Sequence, residues 1–198
     1  MGKARTINLY LVRHAASSRK KTGIWGRTYD APLAPDRMTD LDRSRKILSK
    51  IPRVTAFSSP MLRCLQSLEY VLEVKHEVCI IPEFRAYHSG KFEDMSIADV
   101  ELHFPRYANA SYSDRFLAPE FGEESIDAQT RRVRIGITKM LDVVSAGNIV
   151  VSTHYSVINI MGNIAGGNAD IATYGQGRFD VLEGGLVILQ TDPTALLK

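Results

Sequence analysis

The sequence predicts an α/β fold: a three-layer sandwich with a mostly parallel central sheet, flanked by helices and carrying a lid insertion. Three observations support this fold class. Short apolar runs recur along the 198 residues, and segments whose apolar residues have helical spacing lie between them. One long stretch, residues 84–124, has neither pattern. Strands that alternate with helices are typical of βαβ units, in which helices cover both faces of a parallel sheet.

The predicted strands are nearly continuous apolar runs. The first is INLYLV at residues 7–12, and the others lie at 54–57, 78–81, 148–152 and 185–190. A short run without polar alternation is typical of a strand that is buried on both faces. We therefore expect these segments to form the central sheet.

Two predicted helices show a clear apolar face, because their apolar residues recur every three or four positions. These faces consist of Leu62, Leu65, Leu68 and Leu72, and of Ile135, Met140, Leu141 and Val144.

Residues 84–124 are aromatic and polar, contain Pro105 and Pro119, and have weak periodicity. We expect this stretch to leave the sheet, to form a short helix at 96–104, and to act as a lid that selects the substrate. No linker divides the chain, so residues 1–198 are expected to form a single domain.

Composition excludes several classes of protein. A hydrophobic fraction of 44% and a charged fraction of 24% are ordinary globular values. The net charge of +3 is small and spread along the chain, so we expect no nucleic-acid partner. No apolar run approaches the ~18 residues of a membrane span.

Two cysteines, Cys64 and Cys79, and no visible secretory signal predict a cytoplasmic protein without disulfides. The sequence does not indicate an oligomeric state.

Two histidines follow predicted strands. Arg13 and His14 come directly after the first run, and His154 follows the run at 148–152. In open parallel sheets the ligand site lies at the carboxyl ends of the strands. A neutral imidazole can attack phosphorus, and an arginine fork can hold phosphoryl oxygens. Each residue alone is as well explained by a structural role, but together they indicate an anion site.

A third strand end carries the segment FSSPMLRCLQ, residues 57–66. Ser59 is predicted to cap a helix that has Pro60 in its first turn. Arg63 would then lie near the positive end of the helix dipole, where an anion is favoured.

LYLVRH at 9–14 opens an ordered set of motifs. It is followed by a Gly-x-x-x-Asp-x-Pro-Leu turn, a Ser-Ser-Pro-x-x-Arg-x-x-Gln segment, a Gly-Glu-Glu-Ser segment and a late strand that ends in histidine. This set resembles the histidine phosphatase superfamily, which includes cofactor-dependent phosphoglycerate mutases and many small-molecule phosphatases. The matching residues after the first motif are Gly26, Asp30, Pro32, Leu33, Ser58, Ser59, Pro60, Arg63, Gln66, Gly122, Glu123, Ser125 and His154.

The resemblance implies that His14 is the phosphorylated nucleophile, and that Arg13, Arg63 and His154 form the phosphate pocket. It also implies that neither a metal nor another cofactor is needed. The expected partner is a small phosphorylated substrate or a phosphoprotein. The candidate substrate-binding residues are Lys20, Arg27 and Tyr155.

The family's proton donor is a glutamate four residues before a glycine. Here that glycine is Gly90, and the position four residues earlier is occupied by Ala86. A positioned acid contributes ~10²–10⁴-fold to such reactions, so another residue is expected to act. Our tentative choice is Glu83; the alternatives are Glu93 and His88.

We therefore expect an enzyme of the histidine acid phosphatase type, a metal-independent phosphomonoester hydrolase that works through a phosphohistidine. Two alternatives remain open at this point. A phosphoglycerate-type mutase is disfavoured, because FRAYHSG at 84–90 lacks the mutases' Glu-Arg-His-Tyr-Gly segment. A non-catalytic phosphate-binding regulatory domain is suggested by Ala86 at the acid position.

Overall fold

The apolar runs form the strands of one sheet. In a computed structural model, which describes residues 6–18, 23–26, 28–73, 77–111, 114–115, 119–168 and 179–197, the sheet has five strands. The strands are β1 (Ile7–Arg13), β2 (Val54–Ser58), β3 (Val78–Ile80), β4 (Gly147–Thr153) and β5 (Leu186–Thr191). Their order is β3-β2-β4-β1-β5. Strands β1 to β4 run parallel, whereas β5 runs antiparallel along β1, so the predicted mostly parallel sheet is confirmed.

The helices of the described residues are α1 (Asp42–Leu48), α2 (Leu62–Leu72), α3 (Ile97–His103), α4 (Pro105–Asn109), α5 (Ile126–Val143), α6 (Tyr155–Ala165) and α7 (Pro193–Leu197). Short 3₁₀ turns lie at Pro35–Leu41, Pro82–Phe84 and Gly90–Phe92. In the parts of the chain described above, every helix is too short or too polar to cross a membrane.

Helices cover both faces of the sheet. Side chains alternate along β1, so Leu9 and Leu11 belong to the apolar cluster that includes Val157 of α6. On the opposite face, Val12 belongs to the cluster that includes Leu68 of α2. All five of these side chains are 1% exposed or less. The three-layer prediction is therefore confirmed.

The predicted apolar face of α5 is confirmed at Met140, Leu141 and Val144, which lie in or against the apolar cluster beside the sheet, but not at Ile135. Ile135 is 54% exposed, while Val133, Ile137 and Met140 are fully buried. Two residues correspond to a rotation of about 200° around a helix, so Ile135 and Val133 lie on opposite sides of α5. The helix begins at Ile126, well before the predicted segment, because the Ser125 side chain caps it by accepting a hydrogen bond from the Ala128 N–H (3.1 Å).

The lid, residues 84–124, leaves the sheet between β3 and β4 and has its own aromatic core. The ring of Tyr107 stacks on Phe92 with centroids 4.0 Å apart. Trp25, from the loop after β1, packs against the same cluster. The predicted lid helix is present as α3, capped by Ser96, whose hydroxyl accepts from the Asp99 N–H (3.0 Å). The described part of the lid is thereby joined to the loop that follows β1.

The direction of β5 determines which residues reach the carboxyl edge of the sheet. Leu186, the first residue of β5, pairs with Val12 near the end of β1. The turn before β5 therefore lies beside the residues that follow β1.

Candidate active site

A cavity of about 300 Å³ lies at the carboxyl edge of the sheet. It is lined by Arg13 at the end of β1, by His14 directly after it, by His154 after β4 and by Arg63 of α2. The structure thus brings together His14, the predicted nucleophile, and the three residues of the predicted phosphate pocket. The opposite wall, from the loop after β1 and the lid, consists of Ile24, Trp25, Ala86, Tyr87, Ile97 and Arg115.

The imidazole of His14 is held in one orientation. Its Nδ1 lies 2.7 Å from the carbonyl oxygen of Ala15. A carbonyl oxygen can only accept, so Nδ1 carries the hydrogen and Nε2 keeps its lone pair. The backbone N–H of His14 donates to the carbonyl of Thr153 (3.1 Å), which attaches the residue to β4. In the neutral ring, Nε2 of His14 is therefore the nitrogen with the lone pair that can act as a nucleophile.

Arg63 lies directly beside this nitrogen. Its Nε donates to Nε2 of His14 (3.4 Å), and its Nη1 donates to the carbonyl of Tyr29 (3.1 Å). The side chain is only 4% exposed, so its charge is little screened by water. Because Arg63 is in the first turn of α2, the helix dipole adds to the positive potential.

Ser59 has a different role from the predicted one. Helix α2 begins at Leu62, Met61 is the N-cap residue, and no N-cap side chain caps the helix. The prediction that Ser59 caps this helix is therefore wrong. Its hydroxyl instead lies 2.9 Å from Nε2 of His154, and the carboxylate of Asp30 accepts from the Leu62 N–H (2.6 Å). Ser59 thus orients His154. The carboxylate of Asp30 provides the acceptor for a free backbone N–H in the first turn of α2.

The two histidines are close neighbours. The rings of His14 and His154 have centroids 5.1 Å apart at an angle of 67°, and His154 is 5% exposed. The thiol of Cys64 lies 3.6 Å from Nε2 of His154. Burial raises the pKa of Cys64 to about 12, so this sulfur remains a neutral thiol near pH 7. The imidazole of His14 is thus the better nucleophile in this region.

Arg13 and Tyr155 form a pair at the cavity. Nη1 of Arg13 donates to the carbonyl of Val181 (2.7 Å), and its guanidinium lies 5.2 Å from the centroid of the Tyr155 ring. Tyr155 begins α6 and lines the cavity, so its ring lies where the family has a glycine without a side chain. This position is consistent with the expected contact between Tyr155 and a substrate.

Glu83 is not among the described residues that line the cavity. Its carboxylate forms an ion pair with Lys139 of α5. Burial opposes ionisation, but the hydrogen bond and charge of Lys139 outweigh it, and the pKa of Glu83 is lowered. A proton donor must lie within reach of the leaving group, and Glu83 does not line the cavity. The position of Glu83 therefore argues against our tentative assignment.

Glu93 and His88, the other two candidates for the proton donor, also form hydrogen bonds outside the cavity. Oε2 of Glu93 accepts from the N–H and the hydroxyl of Thr28 (3.2 and 2.8 Å), and Oε1 accepts from the N–H of Ser89 (2.6 Å). These bonds join the loop after β1 to the lid. His88 is exposed and accepts from the N–H of Gly90 (3.0 Å). Neither residue is among the described residues that line the cavity.

One acidic residue of the cavity was missed by the sequence analysis. Ala86 does line the cavity, as its motif position implies, but so does Glu183, in the turn before β5. Parallel strands bring their carboxyl ends to this edge, so the residues that follow them were the expected ones. An antiparallel last strand begins at the edge where parallel strands end, so the Glu-Gly-Gly turn at 183–185 was the available signal.

Lys20 and Arg27, two predicted substrate-binding residues, lie outside the described residues. Within the described ranges, no three histidine, cysteine or carboxylate side chains are grouped as metal ligands would be. The described cavity lining carries three arginines and one glutamate, so its potential favours an anion.

Comparisons with known proteins agree with this geometry. Residues 9–194 match the family model of the histidine phosphatase superfamily, branch 1. No curated protein sequence matches the chain significantly.

Several solved structures share the fold. A mycobacterial glucosyl-3-phosphoglycerate phosphatase superposes with a TM-score of 0.77 at 16% identity, over 94% of this chain and 91% of that chain. A phosphoglycerate mutase from Bacillus anthracis gives a TM-score of 0.74 at 16% identity, over 96% and 90% of the two chains. The YhfR protein of Bacillus stearothermophilus gives 0.76 at 17% identity, over 92% and 90%. Similarity at this level establishes the fold alone.

Proposed function

Because the chain belongs to the histidine phosphatase superfamily, we propose that it is a metal-independent phosphomonoester hydrolase that forms a phosphohistidine on His14. The observation that carries the proposal is the pair of hydrogen bonds to the two nitrogens of the His14 ring. Nδ1 donates to the carbonyl of Ala15, and the lone pair of Nε2 is directed toward Arg63.

The reaction follows from these contacts. The lone pair of His14 Nε2 forms a bond to phosphorus while the bond from phosphorus to the leaving oxygen breaks, and that oxygen takes up a proton. Water then attacks the phosphohistidine, the N–P bond breaks, and inorganic phosphate and free His14 result. Arg13, Arg63 and His154 stabilise the charge on the transferring phosphoryl group, since phosphoryl transfer depends mainly on positioning and electrostatics.

The cavity supports a small substrate. Its volume of about 300 Å³ is at the lower end of the range for ligand pockets, which begins at ~300 Å³. Its lining combines arginines with the aromatic side chains of Trp25, Tyr87 and Tyr155. A phosphorylated small molecule with an apolar or planar part fits this lining better than a phosphoprotein does.

The test is hydrolysis of p-nitrophenyl phosphate in the presence of EDTA, comparing wild type with His14→Ala. His103→Ala is the matched control, because His103 is exposed at the end of α3. We expect His14→Ala to lower kcat/KM roughly 10³-fold or more, and the control to retain the wild-type rate. A phosphoenzyme trapped from wild type should be labile in acid and stable in alkali. Equal rates for His14→Ala and wild type would refute the mechanism.

Ala86 favours one alternative, a domain that binds phosphate without turnover. This alternative predicts binding of phosphate or vanadate by wild type together with no hydrolysis of p-nitrophenyl phosphate. Hydrolysis that depends on His14 would exclude it.

A further inference from the structure

The cavity has an acidic residue that no family motif accounts for. Glu183 is the single carboxylate among the described residues that line it. Its side chain is half-buried at the carboxyl edge of the sheet, on the side of β5, whereas the family's donor position is on the side of β3 and holds Ala86 here.

The backbone around Glu183 is fastened to the nucleophile. The N–H of Gly184 donates to the carbonyls of Arg13 (3.1 Å) and His14 (3.3 Å), and the N–H of Arg13 donates to the carbonyl of Gly185 (2.9 Å). The hydroxyl of Ser44 donates to the carbonyl of Gly184 (2.6 Å). The backbone that carries Glu183 is therefore held beside that of His14, and its side chain lines the same cavity.

The turn depends on a glycine after Glu183. Gly184 has φ +76°, and a Cβ at this position would lie 2.4 Å from the backbone oxygen of Asp40. Only glycine allows the chain to pass this close to the 3₁₀ turn at Pro35–Leu41. The sequence thus pairs an acidic residue with the one residue type that brings it to the cavity.

The other candidate acids have structural roles in the described residues. Glu83 pairs with Lys139. Glu93 accepts two hydrogen bonds from Thr28, which join the lid to the loop after β1, and a third from Ser89 within the lid. A hydrolase acting on esters of ordinary alcohols still needs a proton for the leaving oxygen, because an alkoxide is a poor leaving group.

We propose that Glu183 is this proton donor, an inference that rests on the proposed hydrolase function. As His14 Nε2 bonds to phosphorus and the P–O bond breaks, the carboxyl of Glu183 gives its proton to the leaving oxygen. The resulting carboxylate then takes a proton from the water that attacks the phosphohistidine, which restores the acid. The leaving group accordingly lies on the β5 side of the cavity, near Glu183 and Tyr155.

The experiment compares Glu183→Gln with wild type on two substrates of different leaving-group quality. Glycerol phosphate releases an alcohol that must be protonated, whereas p-nitrophenyl phosphate releases a stable phenolate. We expect kcat for glycerol phosphate to fall ~10²–10⁴-fold, and kcat for p-nitrophenyl phosphate to fall less than about tenfold. Glu69→Gln is the matched control, because Glu69 is exposed on α2. Vanadate affinity should be the same in all three proteins, which shows that the phosphate pocket is intact.

Three results would overturn the inference. Equal losses on both substrates would make Glu183 a positioning residue, and unchanged rates would remove it from the reaction. Wild type that hydrolyses p-nitrophenyl phosphate but not glycerol phosphate would show that no donor serves the site. None of these results contradicts the proposed function. That function fails only if hydrolysis of p-nitrophenyl phosphate is absent or independent of His14.

Discussion

Replacement of Arg63 by lysine tests whether the cavity needs a guanidinium or only a positive charge. The side chain is 4% exposed and donates to two acceptors on different parts of the chain, Nε2 of His14 and the carbonyl of Tyr29. Lysine keeps the charge but ends in a single ammonium group on a flexible stem. It can occupy one of these two positions, but not both in the plane that the guanidinium fixes.

The size of the effect follows from this loss. One preorganised donor in an enzyme site contributes ~10²–10³ in rate, or about 2.7–4 kcal/mol of transition-state stabilisation. We therefore expect Arg63→Lys to lower kcat about 10²-fold, and Arg63→Met, which also removes the charge, to lower it about 10³-fold or more.

The assay is steady-state hydrolysis of p-nitrophenyl phosphate, with kcat and KM determined separately and thermal unfolding measured in parallel. Arg43→Lys is the control for the exchange itself, because Arg43 is exposed on α1. A kcat for Arg63→Lys within about threefold of wild type, in a normally folded protein, would refute the assignment of Arg63 as an oriented donor.

Two further predictions concern groups outside the transfer step. Glu83→Gln should lower the free energy of unfolding by at most ~1 kcal/mol at pH 7, because the partner Lys139 is half exposed. The pKa of Glu83 is lowered in the folded protein, so its contribution is present above the unfolded pKa and disappears as the pH falls through the folded value. Urea unfolding should therefore show a larger difference at pH 7 than at pH 3, and a difference of equal size at both would contradict this explanation. For Cys64, whose pKa is raised to about 12, we expect a thiol reagent at pH 8 to label the partly exposed Cys79 first and Cys64 only on unfolding; rapid labelling of both in the native protein would contradict its burial.

The sequence predicted those parts of the site that depend on parallel strands. Apolar runs that end abruptly in His14 and His154 located two strand ends, because the carboxyl ends of parallel strands meet at one edge. The direction of β5 could not be inferred in the same way, since it depends on how the chain returns to the sheet. Glu183 was therefore missed, although its Glu-Gly-Gly turn was visible.

Local sequence also left the roles of single side chains undecided. Glu83 is the acid that lies shortly before the donor position in the sequence, but its carboxylate pairs with Lys139, which is 56 residues away. Ser59 has the composition of a helix cap, but the histidine that engages its hydroxyl is 95 residues away. In both residues a tertiary contact replaced the role that local propensity suggests.

The placement of β1 between β4 and β5 has a consequence for the order in which the protein assembles. During synthesis β1 emerges first, yet both of its neighbours in the sheet come from residues 147–191. At a synthesis rate of ~5–20 residues per second, the partners of β1 are made on the order of 10 s after β1 itself. The bond from Arg13 to the carbonyl of Val181 spans 168 residues of sequence, and such long-range pairing slows folding. A nascent chain that lacks the turn at 183–185 does not contain the complete cavity, which forms only after β1 has met the segment that leads into β5.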